Sequence, residues 1–258
     1  MRRDRRTLAV LGYHKIGPPP PDGWASWYYV PEPVFVGQLE FLRRGGWRVI
    51  SLAQFLQGLD DPEGLPERSA LLTFDDGCRS FLDIALPCLE RFAWPSVMFV
   101  PTDYIGGRND FDQGNEPWEP ICGGDDLRLL EARGVAVQSH TASHRRLSGL
   151  GPEGWEDEFR RSKDVLELTL SRPVETVSYP FGDAGDHPLA VATVLSRVGY
   201  RAAFLYGGGP GRMPPEGPFR IPRLAMGPDT DLATALGARG DGLEGRPQPS
   251  VTARSDPG

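Results

Sequence analysis

Two carboxylates stand side by side at Asp75-Asp76, between the apolar run Ala70-Leu71-Leu72-Thr73-Phe74 and Gly77. Adjacent acids repel, and keeping both at one point makes sense when they divide the labour, one on a metal ion and one handling protons. An Asp-Gly pair alone is also a common turn, so the histidines decide. The chain has only four, and His140 and His144 are four positions apart, so a helical turn or a tight loop brings both rings to one place. On its own such a pair reads as surface or capping histidines. With an acidic pair elsewhere it reads as a site of two imidazoles and a carboxylate, which leaves positions open for water and substrate. His14, after the apolar stretch Leu8 to Tyr13, is a third candidate.

Strand ends must hold these residues. Leu8 to Tyr13, Trp47 to Ser51, Ala70 to Phe74, Ser96 to Val100, Val135 to Ser139, Val174 to Tyr179 and Tyr200 to Tyr206 read as strands, with Phe219 to Leu224 a last extended piece. Helical patterns separate them at Pro33 to Arg44, Leu52 to Leu59, Arg79 to Phe92 (with Pro87 splitting it), Gly124 to Arg133 (capped near Asp125), Trp155 to Leu170 and His187 to Val198. Alternation of this kind predicts right-handed βαβ units and an α/β fold. Seven or eight parallel strands in one domain favour a closed or nearly closed barrel, whose strand ends converge on one mouth. Pro101 to Gly123 is a long loop of the kind kept for binding.

The whole chain sets further bounds. Its 258 residues suit one large domain, and a net charge of −7 argues against nucleic acid as partner. Residues 1–7 are a basic segment, but the apolar run after them is too short for a signal peptide and no run reaches the length of a membrane span, so a cytoplasmic protein is expected. Residues 237–258 hold little to bury and are expected to be a disordered tail, leaving 8–236 as the catalytic domain. Cys78, Cys88 and Cys122 form no Cys-x-x-Cys pair; Cys78 and Cys88 are expected as buried helix residues.

Three segments together carry a resemblance: Thr73-Phe74-Asp75-Asp76-Gly77, Ser139-His140-Thr141-Ala142-Ser143-His144 and Ser178-Tyr179-Pro180-Phe181-Gly182. In order and spacing they resemble the motifs of the polysaccharide deacetylase family, the NodB-homology group of metal-dependent carbohydrate esterases (family 4-like). The likeness extends to Val10-Leu11-Gly12-Tyr13-His14 and Arg220-Ile221-Pro222-Arg223, so it covers roughly residues 8 to 225. It implies a distorted (β/α) barrel and hydrolytic removal of N- or O-acetyl groups from sugars. By position it makes Asp76, His140 and His144 the ligands of a divalent metal, first of all zinc, and Asp75 the general base. It assigns the backbone N–H of Phe181 to the oxyanion, a role Pro180 cannot fill because it has no N–H.

The chain also departs from the family pattern. The third motif starts at Ser178 or Tyr179 instead of an arginine that orients the base, and no histidine follows His187 to supply the family's late Leu-x-His acid. The poly-N-acetylglucosamine deacetylase branch, which begins with a Tyr-His strand end, is the better likeness. It makes His14 the acid, and Arg223 is the candidate for the missing charge. Tyr179, Pro180, Trp27 and Tyr28 are candidates to line the sugar site. His187 reads as a surface residue and Asp183 as a turn or capping residue.

The expected activity is therefore deacetylation of an N-acetylated sugar or polysaccharide by metal-activated water. Alternatives are hydrolysis of another C–N or ester bond, such as a formyl group or a small amide, an iron(II) oxygenase built on two histidines and a carboxylate, and a glycan-binding barrel without catalysis.

Overall fold

The sheet is built outward from β1 (Thr7–Tyr13), which is followed by the short pair β2 (Lys15–Ile16) and β3 (Tyr29–Val30). Then come α1 (Glu32–Arg44), β4 (Arg48–Val49), α2 (Leu52–Asp60), β5 (Arg68–Phe74), α3 (Leu86–Phe92) and β6 (Ser96–Val100). The second half runs α4 (Gly124–Ala132), β7 (Val135–Ser139), α5 (Pro152–Leu170), β8 (Thr176–Ser178), α6 (Pro188–Val198), β9 (Ala202–Phe204), β10 (Gly211–Arg212), β11 (Leu224–Ala225) and α7 (Leu232–Gly237). The computed structural model describes residues 6–237, so the expectations for residues 1–5 and 238–258 lie outside the described residues. Among the described residues no helix is long and apolar enough to cross a membrane.

Strand order is β10-β1-β5-β6-β7-β8-β9, with β11 beside β1 and β4 beside β5. Every pairing is parallel except that of β10 with β1, so the sheet is mixed. The last extended piece joins the two ends of the parallel run. Ile221 bridges Phe204 of β9, and Leu224 and Ala225 pair with Leu11 and Gly12 of β1. β4 flanks the start of β5 at Ser69 and Ala70, and β6 takes the same strand at Thr73 and Phe74. The result is an α/β barrel, as the alternation predicts, with the distortion that the resemblance implies.

Two apolar clusters, one on each face of the sheet, follow the two-residue period of the strands. Ala9, Leu11, Tyr13, Ala70, Leu72, Phe74, Met98, Val100, Val135 and Val137 pack outward under the helices. Leu8, Val10, Leu71, Val97, Phe99 and Phe204 turn into the lumen, joined by Leu52, Phe55 and Leu56 of α2. A one-residue slip of β5 would put Leu71 and Thr73 under the helices and Leu72 and Phe74 in the lumen. At about 1.5–3 kcal/mol for each large apolar side chain buried, register is strongly fixed.

Several elements differ from the sequence reading. The strands read over 47–51, 174–179 and 200–206 shrink to two or three residues, and β2, β3, β10 and α7 were not expected. These pieces are too short to show a period. Pro87 splits its helix as predicted: Phe81–Ala85 forms a wide π turn, with the Leu86 N–H bonded to Phe81 O, before α3 starts. Cys78 is buried but sits in an extended bridge to Ile121, not in a helix. At the head of α4 the capping carboxylate belongs to Asp126, which accepts from Gly123 N–H at 3.0 Å, not to Asp125.

Candidate active site

Because the strands are parallel, β1, β5, β7 and β8 all end on one side of the barrel, and each delivers polar residues there. Asp75 has the lumen parity of Leu71 and Thr73. Extended backbone would send Asp76 to the opposite face, but Asp76 is left-handed, with φ 72°. The chain turns there, and both carboxylates face His140 Nε2, Asp75 at 4.0 Å and Asp76 at 3.6 Å. His144 Nε2 lies 3.5 Å from the same Asp76 Oδ1. Gly77, also left-handed at 70°, continues the turn; a Cβ there would sit 3.1 Å from Val100 Cγ1.

The histidine turn is equally bent, with Thr141 at φ 63° and His144 at 58°. Non-glycine residues held in this region cost of order 1–3 kcal/mol each and cluster where the surroundings impose them. His140 Nδ1 lies 2.8 Å from Ser178 O, and a carbonyl oxygen only accepts. The proton is therefore on Nδ1, and Nε2 turns its lone pair toward Asp76. Burial lowers the pKa of both His140 and His144. His144 is held between Phe111 and Phe181, with ring centroids 4.1 and 4.8 Å away.

A donor set that fits a cation shows in its unmet needs. Asp76 Oδ1 is buried without a hydrogen-bond donor, and burial, reinforced by the neighbouring Asp112 carboxylate, pushes Asp76 well above the usual carboxylate range. One ligand atom from each of Asp76, His140 and His144 falls within 4.8 Å of the others. A carboxylate and two neutral imidazoles around one point suit a divalent ion.

Asp75 is the opposite case. Arg223, fully buried, meets it with both ends of the guanidinium, Nη1 to Oδ1 at 2.7 Å and Nη2 to Oδ2 at 2.6 Å. The remaining donors of Arg223 reach Thr73 Oγ1, Ser178 Oγ and Leu205 O at 3.1, 2.8 and 2.7 Å. Burial alone would raise the Asp75 carboxyl, but Arg223 and His140 outweigh it and hold the pKa below the ordinary value.

His14 packs against Tyr28 and Tyr206, at centroid distances of 4.6 and 5.0 Å, and burial pushes its pKa down to about 3. Phe181 is left-handed at φ 58° and 46% exposed, with Arg146 over its ring. Gly182 and Asp183 N–H bond back to Tyr179 and Pro180 carbonyl oxygens, leaving Phe181 N–H out of those bonds.

Of the four sugar-site candidates, Trp27 is 38% exposed and Tyr28 adjoins His14. Tyr179 does not share that mouth. It is 1% exposed in the helix-side core and donates its hydroxyl to Phe219 O, because it has the outward parity of Val177. Pro180 is buried at the start of the Pro180–Gly182 turn. Asp183 does cap a turn, accepting from Ser148 and Gly185, and His187 is an exposed residue before α6.

Two carboxylates near the site escaped the sequence reading. Glu116 pairs with buried Lys15 at 2.9 Å, and Asp112, raised to about 6 by burial, faces Lys15 and Glu116 from the long loop. Loop residues carry no period that would reveal such partners. Glu158 on α5 did leave a signal: it falls on the stripe of Trp155, Phe159, Ser162 and Leu166, the buried face of its helix.

Comparison with known proteins agrees with this geometry. A putative polysaccharide deacetylase, YxkH of Bacillus subtilis (strain 168), is 23% identical over 194 residues, which are 75% of this chain and 62% of that protein. The poly-beta-1,6-N-acetyl-D-glucosamine N-deacetylase of Escherichia coli (strain K12) is 40% identical over 122 residues, 47% of this chain and 17% of that protein. The chain thus spans less than two thirds of the length of either relative. Among solved structures, Streptococcus pyogenes deacetylase PplD in complex with acetate superposes with a TM-score of 0.74 at 21% identity, covering 87% of this chain and 94% of that one. IcaB from Ammonifex degensii gives 0.74 at 23% identity, covering 87% and 93%. These two establish the fold. The family model for polysaccharide deacetylase matches residues 63–203, more than half of the chain and the stretch that carries the acidic pair, the histidine turn and the Ser178–Gly182 segment. The barrel, its motifs and that match together make the chain a member of the polysaccharide deacetylase family.

Proposed function

We propose that this chain removes the acetyl group from an N-acetylated sugar within an oligo- or polysaccharide, giving acetate and a free amine, with residues 8–236 as the catalytic unit. The observation that carries the reading is the contrast between the two adjacent aspartates. Asp76 Oδ1 is buried without a donor beside two imidazoles, while Asp75 is saturated by Arg223.

Asp76, His140 and His144 would hold a divalent ion, zinc by preference for the two imidazoles. Such an ion, when bound, acidifies water and polarises the acetyl carbonyl. Asp75 stays ionised because Arg223 faces it, so it is ready to take a proton from the attacking water at neutral pH. Arg223 fixes the plane of that carboxylate through the two-point contact. The Phe181 N–H, left out of its own turn, is the donor for the oxyanion. His14 gives a proton to the leaving nitrogen as the C–N bond breaks. Its imidazole is neutral at rest, since burial depresses it to about 3, so the proton it would hand on is the one that Asp75 takes from the water. Trp27, Tyr28 and the exposed face of Phe181 offer rings for a sugar to stack on. The two relatives are a putative polysaccharide deacetylase and a poly-beta-1,6-N-acetyl-D-glucosamine N-deacetylase by name. They favour a β-1,6-linked N-acetylglucosamine chain as the substrate to try first.

The test is acetate release from N-acetylglucosamine oligomers by zinc-loaded protein, chelated protein and Asp75→Asn. Removing a positioned general base costs about 10²–10⁴-fold. Loss of release on chelation and in Asp75→Asn supports the reading. Release that survives both sinks it.

A further inference from the structure

We propose that Glu158, which takes no part in the chemistry above, is a positioning residue that sets the His140–His144 turn for metal binding; the inference rests on the metal reading of that site. Glu158 is a carboxylate only 4% exposed on α5, and glutamate is almost never so buried without partners. Its partners all belong to the histidine turn. Oε2 accepts the Ala142 N–H at 2.9 Å and the Ser143 N–H at 2.8 Å, and Oε1 accepts the Ser143 hydroxyl.

The four successive N–H groups from Thr141 to His144 all donate to side-chain oxygens. Thr141 uses Ser139 Oγ at 3.1 Å, and His144 uses Thr141 Oγ1 at 3.2 Å, both within the same short segment. The middle two share Glu158 Oε2, the one of the three acceptors that comes from a distant part of the chain. Four residues further along α5, Ser162 Oγ lies 2.8 Å from Ser139 Oγ. The helix therefore grips the turn at two points on one face. Thr141 between those points and His144 just beyond them are held left-handed, a conformation that local sequence does not favour. A carboxylate suits the task because it accepts with both oxygens. A glutamine of the same shape can keep the two N–H bonds through its oxygen and donate to the Ser143 hydroxyl, whereas a leucine accepts nothing and releases the turn.

The experiment compares zinc dissociation constants of wild type, Glu158→Leu, Glu158→Gln and Ser143→Ala by competition with a chromophoric chelator, alongside thermal melts of the metal-free proteins. Residues that orient metal ligands typically contribute about 10–100-fold in affinity, and that loss is expected for Glu158→Leu in a protein that still melts cooperatively without metal. Glu158→Gln, which keeps both N–H bonds, should retain most of the affinity, and Ser143→Ala, which loses the hydroxyl bond alone, should show a small loss. Wild-type zinc affinity in a folded Glu158→Leu overturns the inference while leaving the metal reading intact. If Glu158→Leu does not fold, Ser143→Ala decides, and unchanged affinity there overturns the inference. Wild-type protein that binds no zinc overturns the metal reading and this inference with it.

Discussion

Arg223 and Asp75 meet in a two-point contact at 2.7 and 2.6 Å, although 148 positions separate them in the chain. Removing one partner leaves the other charged and buried. Arg223→Met should cost about 3–5 kcal/mol of stability, read by urea denaturation at pH 7. The double variant Asp75→Leu/Arg223→Met should regain much of that loss while remaining inactive in the acetate assay. A double variant no more stable than Arg223→Met would mean that the pair is not the source of the penalty.

Metal binding should show in stability as well as in turnover. A ligand that binds only the folded state stabilises it by about 2.7 kcal/mol at a hundredfold excess over its dissociation constant. Zinc should therefore raise the melting temperature of wild type and leave His140→Ala and Asp76→Asn unmoved. An equal rise in all three would place the ion elsewhere.

Burial keeps His14 neutral, and that has a pH signature. Its pKa falls from 6.5 unfolded to about 3 folded, so its contribution is complete above pH 6.5 and is lost as pH falls toward 3. His140 and His144 are depressed in the same direction and act in the same sense. For the metal-free protein, His14→Asn should reduce the stability lost between pH 7 and 5 by up to about 2 kcal/mol. Denaturant titrations at the two pH values check this; parallel losses in wild type and variant would contradict it.

Trp27 lies against Gly227, where a Cβ would sit 2.2 Å from Cε2 of the indole, and its Nε1–H donates to Asp229 at 2.7 Å. Gly227→Ala must push the ring aside. A raised KM for oligomers with little change in kcat is expected if Trp27 holds sugar, and unchanged kinetics would assign the ring to loop packing alone.

The helix-side position of Tyr179 makes a plainer prediction. Tyr179→Phe loses one hydrogen bond to Phe219 O, worth about 1 kcal/mol, and should leave kcat and KM as they are. A large kinetic defect would return this side chain to the substrate site.

The acidic pair and the histidine turn were legible because each sits at the end of a strand whose apolar pattern is local. Once the strands are parallel, their ends share a mouth. Arg223 was legible only as a charge missing from the third motif, since no spacing links it to Asp75. Tyr179 misled because it adjoins the mouth in sequence, whereas it keeps the outward parity of Val177 and faces the helices. Lys15 and Glu116 could not be paired from sequence, because their contact depends on how a 23-residue loop folds back over β2.

The segment that bridges β9 to β1 also brings in Arg223, so sealing the barrel and neutralising Asp75 are a single event. A ribosome that has not yet released residue 223 holds a nascent chain whose Asp75 lacks its guanidinium partner. The order of synthesis thus leaves Asp75 unpaired until this late-made strand docks at the seam.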